Sequence, residues 1–115
     1  MEYKLPLEYR NTEWMNRCKF HYSEKFSSRD ENIYQKRLPV WRQGDNITLE
    51  GRILVTLETG EVRVDVYDVG FRGKYAPYYL RPSYYNDILS KIDERIDEEL
   101  NKCCIIKEET EDDLH

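Results

Sequence analysis

Two apolar runs with a period of two, on either side of a glycine-containing tetrapeptide, restrict this chain more than any other feature. In Ile47-Thr48-Leu49-Glu50-Gly51-Arg52-Ile53-Leu54-Val55-Thr56-Leu57 the odd positions are apolar or glycine and most even ones polar. That is the mark of a strand with one dry face. After Glu58-Thr59-Gly60-Glu61 the pattern resumes on Val62, Val64 and Val66, so a β-hairpin over about 47–57 and 61–69 is expected. Pairing Leu57 with Val62, Val55 with Val64 and Ile53 with Val66 gathers all six apolar side chains on one face. A one-residue slip would set Arg63 opposite Val55 and is disfavoured.

A dry face needs a cover, and the C-terminal third supplies one. Between residues 84 and 103, Tyr85, Ile88 or Leu89, Ile92, Ile96, Leu100 and Cys103 recur at three- and four-residue steps, which predicts an amphipathic helix. Pro82 and Ser83 provide its start signal, with Ser83 as N-cap. The opposite side is acidic and is expected to meet water. The stripe falls short of the roughly three to four heptads that mark a coiled coil. Packing on the hairpin is therefore the first reading and self-association through this helix the second.

The N-terminal region is less regular. Ser28-Arg29-Asp30-Glu31 has capping-box spacing and precedes Ile33, Tyr34, Arg37 and Leu38, which predicts a short helix near 29–37 ended by Pro39. Between Thr12 and Phe26, Trp14, Cys18 and Tyr22 fit a helix, whereas Cys18, Phe20 and Tyr22 alternate as in a strand. Weaker strand signals lie at 74–80 and 19–26, too few in all for a five-stranded barrel. The fold class is α+β: a small antiparallel sheet built on the hairpin and packed by the C-terminal helix. With 115 residues, one domain is expected over 1–106.

Charge is segregated along the chain. The net charge of -5 breaks down into nine Lys/Arg against six Asp/Glu in residues 1–42, five against six in 43–82, and four against eleven in 83–115. Residues 107–115 read as an acidic, disordered tail, which adds solubility, attracts a basic partner or shields the chain's own basic surface.

Several classes drop out. No apolar run approaches the roughly 18 to 20 residues of a membrane span, and the first residues lack a signal peptide's apolar stretch. A cytoplasmic location is expected. Cys18, Cys103 and Cys104 are an odd number with two adjacent, which does not suit a disulfide framework. The chain lacks a glycine-rich phosphate loop, a G-x-S-x-G elbow and an H-E-x-x-H pair. Cys18 and His21 with Cys103 and Cys104 would complete a zinc site only if the chain ends met; core thiols are the simpler reading, and no metal or cofactor is expected. Cys18 and His21 are not spaced as an aligned nucleophile and base. Asp65 points outward beside Arg63, while an inward Asp68 would take Arg52 or a backbone amide as partner. No enzyme is expected.

The remaining candidate is the segment from Phe71 to Pro82. Phe71, Arg72, Lys74, Tyr75, Tyr78, Tyr79 and Arg81 interleave rings and positive charge without one acid. Such a segment covers a core edge, contacts a protein through tyrosine and arginine hot spots, or binds single-stranded nucleic acid by stacking and phosphate pairing. The expected function is a small non-enzymatic binding protein, an adaptor, subunit or inhibitor, with a protein partner. Binding of single-stranded nucleic acid through the same residues is the alternative.

Overall fold

The structure, a computed structural model, describes residues 2–38, 41–43, 47–69, 76–77 and 89–108. In chain order its elements are β1 (Glu2–Lys4), a 3-10 turn (Leu7–Tyr9), α1 (Thr12–Arg17), β2 (His21–Tyr22), β3 (Ile33–Arg37), β4 (Trp41–Gln43), β5 (Ile47–Thr56), β6 (Glu61–Asp68), β7 (Ala76–Pro77), α2 (Leu89–Lys102) and β8 (Ile106–Glu108). Among the described residues the strand pairings are all antiparallel. The spatial order is β2-β3-β5-β6-β1-β8, with β4 also on β5 and β7 also on β6. The chain is therefore α+β, as expected, and mostly sheet.

The expected hairpin is present as β5 and β6, and its faces are the expected ones. Its register differs by two residues: Val55 lies opposite Val62, Ile53 opposite Val64 and Gly51 opposite Val66. A shift of two keeps every side chain on its face, so hydrophobic pattern cannot separate the two registers. The turn does. Residues 57–60 form the loop, and Gly60, at its last position, has φ +74 and donates its N–H to the Thr56 carbonyl at 2.8 Å. Four-residue hairpin loops end on such a left-handed residue, which glycine adopts without a Cβ penalty.

Residues 33–37 are strand, not the expected short helix. The Ser28-x-x-Glu31 spacing makes a local turn, in which the Ser28 N–H donates to the Glu31 carbonyl at 2.9 Å. The Ser27 hydroxyl accepts from the Ile33 N–H at 2.8 Å. Beyond it, Ile33 to Arg37 pair with Thr56 to Arg52, and that ladder outweighs local helix signals. The ambiguous stretch from Thr12 to Phe26 resolves into both readings in turn, with α1 first and β2 after it. Lys19, at φ 65, lies between the two.

The core lies on the hairpin's dry face. Leu49, Ile53, Val55, Val62 and Val66 pack there with Ile92, Ile96 and Leu100 of α2 and with Cys103 just beyond it, and Leu5, Met15, Phe20, Tyr34, Leu38 and Ile105 close the same cluster. Gly51 leaves room at one end: a Cβ there would stand 2.9 Å from Leu38 Cδ1. The helix start that Pro82 and Ser83 predict lies outside the described residues, as do 109–115 of the tail. At the other end, β8 carries the sheet to Glu108. Among the described residues, no helix is long and apolar enough to cross a membrane.

Candidate functional site

Two basic hollows, one on each side of β3, meet at Arg37 and Leu38. The first opens on the outer face of the hairpin. It measures about 500 Å³ and is lined by Lys25, Arg37, Leu38, Glu50, Gly51, Arg52 and Tyr67. Even positions of β5 and odd positions of β6 point to this side, which sets Arg52 opposite Asp65. The Arg52 Nε is 3.8 Å from the Asp65 carboxylate, and an Arg63 amino nitrogen is 3.3 Å from it. Arg52 thus serves Asp65 on the outer face.

The guanidinium of Arg52 also lies between two rings, 4.7 Å from the Phe26 centroid and 5.6 Å from that of Tyr67, where a cation is favoured by the ring quadrupoles. Phe26 reaches this position from the segment joining β2 to β3, and Lys25 beside it faces the same hollow. Arg37 stands directly across the ladder from Arg52. Like charges in opposed positions repel. Among the described residues Arg37 has no acid within ion-pair distance, so of these residues none neutralises its charge.

The second hollow, about 640 Å³, lies between α1, β3 and the end of α2. Lys36 points to the core side of β3, opposite Ile53, and its ammonium is 3.1 Å from a Glu99 oxygen. Arg95 and Lys102 approach the same carboxylate at 3.2 and 3.7 Å. Glu99, on the helix side expected to face water, is buried, its side chain 8% exposed against 17% for Lys36. Burial raises the Glu99 pKa, but the Lys36 hydrogen bond and the charges of Lys36, Lys102 and Arg95 outweigh it, and the group is held below its ordinary value. Three cations share one carboxylate. Arg17, Lys19 and Arg37 add to the positive rim.

No family model, curated protein or solved structure matches this chain. The site therefore rests on its own chemistry.

Of the residues singled out from sequence, Phe71, Arg72, Lys74, Tyr75, Tyr78, Tyr79 and Arg81 all lie outside the described residues. Their neighbours Ala76 and Pro77 are described, and pair with Asp68 and Tyr67 at the end of β6. Tyr67 is also a wall of the outer hollow. Cys18 and Cys103 line the same inner hollow, because α1 and α2 finish side by side, tied by the Trp14 indole and the Cys103 carbonyl. His21 stands apart on β2, exposed and opposite Gln35. Among the described residues no group of three or more His, Cys, Asp or Glu is arranged to hold a metal ion. Lys25, Arg37 and Arg52 were missed from sequence because they are scattered singly over three segments and only the β2-β3-β5 pairing assembles them. The excess of basic residues in 1–42 was the one available signal.

Proposed function

We propose that this chain is a small binding protein, without catalysis of its own, that recognises an acidic segment of a protein partner through the outer hollow. Phe71 to Arg81 are proposed to extend that surface. The observation that carries the reading is that Arg37, with no ion-pair partner among the described residues, stands opposite Arg52, whose guanidinium lies between the rings of Phe26 and Tyr67. Arginine next to tyrosine in a concave, partly dry site is the composition of interface hot spots. A carboxylate entering there would relieve the Arg37–Arg52 repulsion and gain charge-assisted hydrogen bonds.

Glu50 and Asp65 lie on the same face and would repel a continuous phosphate backbone. A peptide can place its acids between them. The three free thiols fit a reducing compartment, such as the cytoplasm.

Fluorescence anisotropy with two labelled probes, a glutamate-rich peptide containing aromatic residues and a mixed single-stranded oligonucleotide, tests the proposal. The peptide is expected to bind the native chain, and Lys25→Glu with Arg37→Glu is expected to weaken it at least tenfold, the effect of losing about 1.4 kcal/mol. If the oligonucleotide binds more tightly than the peptide, with affinity falling steeply as salt rises, the nucleic-acid reading replaces this one.

A further inference from the structure

The inner hollow holds a pair of thiols for which peptide recognition has no use. The Trp14 indole N–H donates to the Cys103 carbonyl at 3.0 Å, which fixes the end of α2 against α1. Cys18 follows one turn after Trp14, its own N–H donating to the Trp14 carbonyl at 3.0 Å, so its side chain falls on the same face of α1. Both thiols line the hollow, and the neighbouring Cys18 thiol helps hold Cys103 protonated. The Lys36 ammonium is 3.9 Å from Cys103 Sγ. Cys104 is turned elsewhere: it has φ 60 and its thiol lies beside Tyr9, raising the pKa of that hydroxyl.

We propose that Cys18 and Cys103 form an oxidant-responsive dithiol, which a hydroperoxide entering the inner hollow converts to a disulfide tying α1 to α2. Cys18, half-buried, is the sulfur that meets the reagent. Its thiolate attacks one peroxide oxygen, the O–O bond breaks, and the other oxygen leaves with a proton as water or alcohol. That leaves a sulfenic acid on Cys18. Cys103 Sγ then attacks the Cys18 sulfur, the S–O bond breaks, and the departing hydroxide takes the Cys103 proton to give water. The peroxide is reduced by two electrons and the two thiols are oxidised by two.

Burial raises Cys103 to about 12, the neighbouring Cys18 thiol adds to this and Lys36 opposes it. Cys103 is therefore kept as a thiol in the resting protein and reacts second, with the Lys36 charge stabilising the sulfur as its proton departs. The partner cysteines are 85 positions apart, so the bond joins segments that diffuse apart when the chain unfolds. The crosslinked form should melt at a higher temperature, and a thiol reductant should reverse the gain.

The test is peroxide treatment of the folded, full-length chain, alkylation of remaining thiols, cleavage after glutamate without reduction, and fragmentation mass spectrometry. The expected product joins residues 14–24 to residues 100–108 through Cys18 and Cys103, with the loss of two hydrogens, in most of the protein. Cys104→Ser should give the same product at the same rate. A bond through Cys104, oxidation of Cys18 to sulfinic acid with no crosslink, or three thiols still free after treatment would each overturn the proposal. The native chain's own fragment map decides the matter even where the variant does not fold.

Discussion

Gly60→Ala should destabilise the protein by about 3 kcal/mol, lowering its melting temperature by on the order of 15 °C. Two costs combine. An alanine held at φ +74 bears about 1 to 2 kcal/mol of left-handed strain. A Cβ at this position would also run into the Leu5 carbonyl oxygen and the Arg10 guanidinium. The first of these is backbone and cannot swing aside. Around it, the Leu5 N–H donates to the Gly60 carbonyl at 2.8 Å, and Arg10 Nε donates to the Leu5 carbonyl at 2.7 Å. The substitution therefore strains the hairpin turn and pushes away the segment that brings β1 onto β6. Urea unfolding followed by tryptophan fluorescence measures the loss. A cost below about 1 kcal/mol, the range of ordinary surface changes, would mean that the turn is not left-handed at Gly60, and the alternative register, displaced by two residues, would return.

Glu99→Gln is expected to cost about 3 kcal/mol at neutral pH, the low end for breaking a buried ion pair by removing one member, because Lys36 keeps some access to water. The substitution leaves Lys36, Arg95 and Lys102 facing a neutral amide. Lys36→Met with Glu99→Leu should cost less than Glu99→Gln alone, since no buried charge is then left unpaired. The pH dependence follows from the lowered Glu99 pKa. The unfolded chain takes up a proton near the ordinary glutamate value while the folded one resists, so this stabilisation is complete above that value. It is lost as pH falls through the lower, folded value. Stability of the native chain should thus fall below about pH 4.3 more steeply than that of Glu99→Gln. Parallel curves would show that Glu99 is not held ionised by its neighbours.

This ion pair also explains what the sequence concealed. On β3 the core-facing positions are Tyr34 and Lys36, followed by Leu38, and the charged member breaks the alternation that marks a strand. On α2, Glu99 sits among acids that do face water, so nothing in its spacing set it apart. Each residue looks misplaced alone and makes sense only with the other. The hairpin was legible because its alternation is uninterrupted over long runs. Its register was not, since a shift of two is invisible to periodicity and the choice rests on the conformation of Gly60. The outer hollow was illegible for a different reason: Lys25, Arg37 and Arg52 come from a connecting segment and two strands, and no spacing rule links them before the sheet forms.

The most direct test of the account is partner capture from nuclease-treated native extract, comparing the native chain with two double variants. Lys25→Glu with Arg37→Glu alters the outer hollow, and Asp93→Lys with Glu94→Lys alters the exposed acidic face of α2. A protein that the native chain retains should be lost by the first variant and kept by the second, with both variants folded by circular dichroism. Retention by the first and loss by the second would contradict it and move the binding surface to the helix.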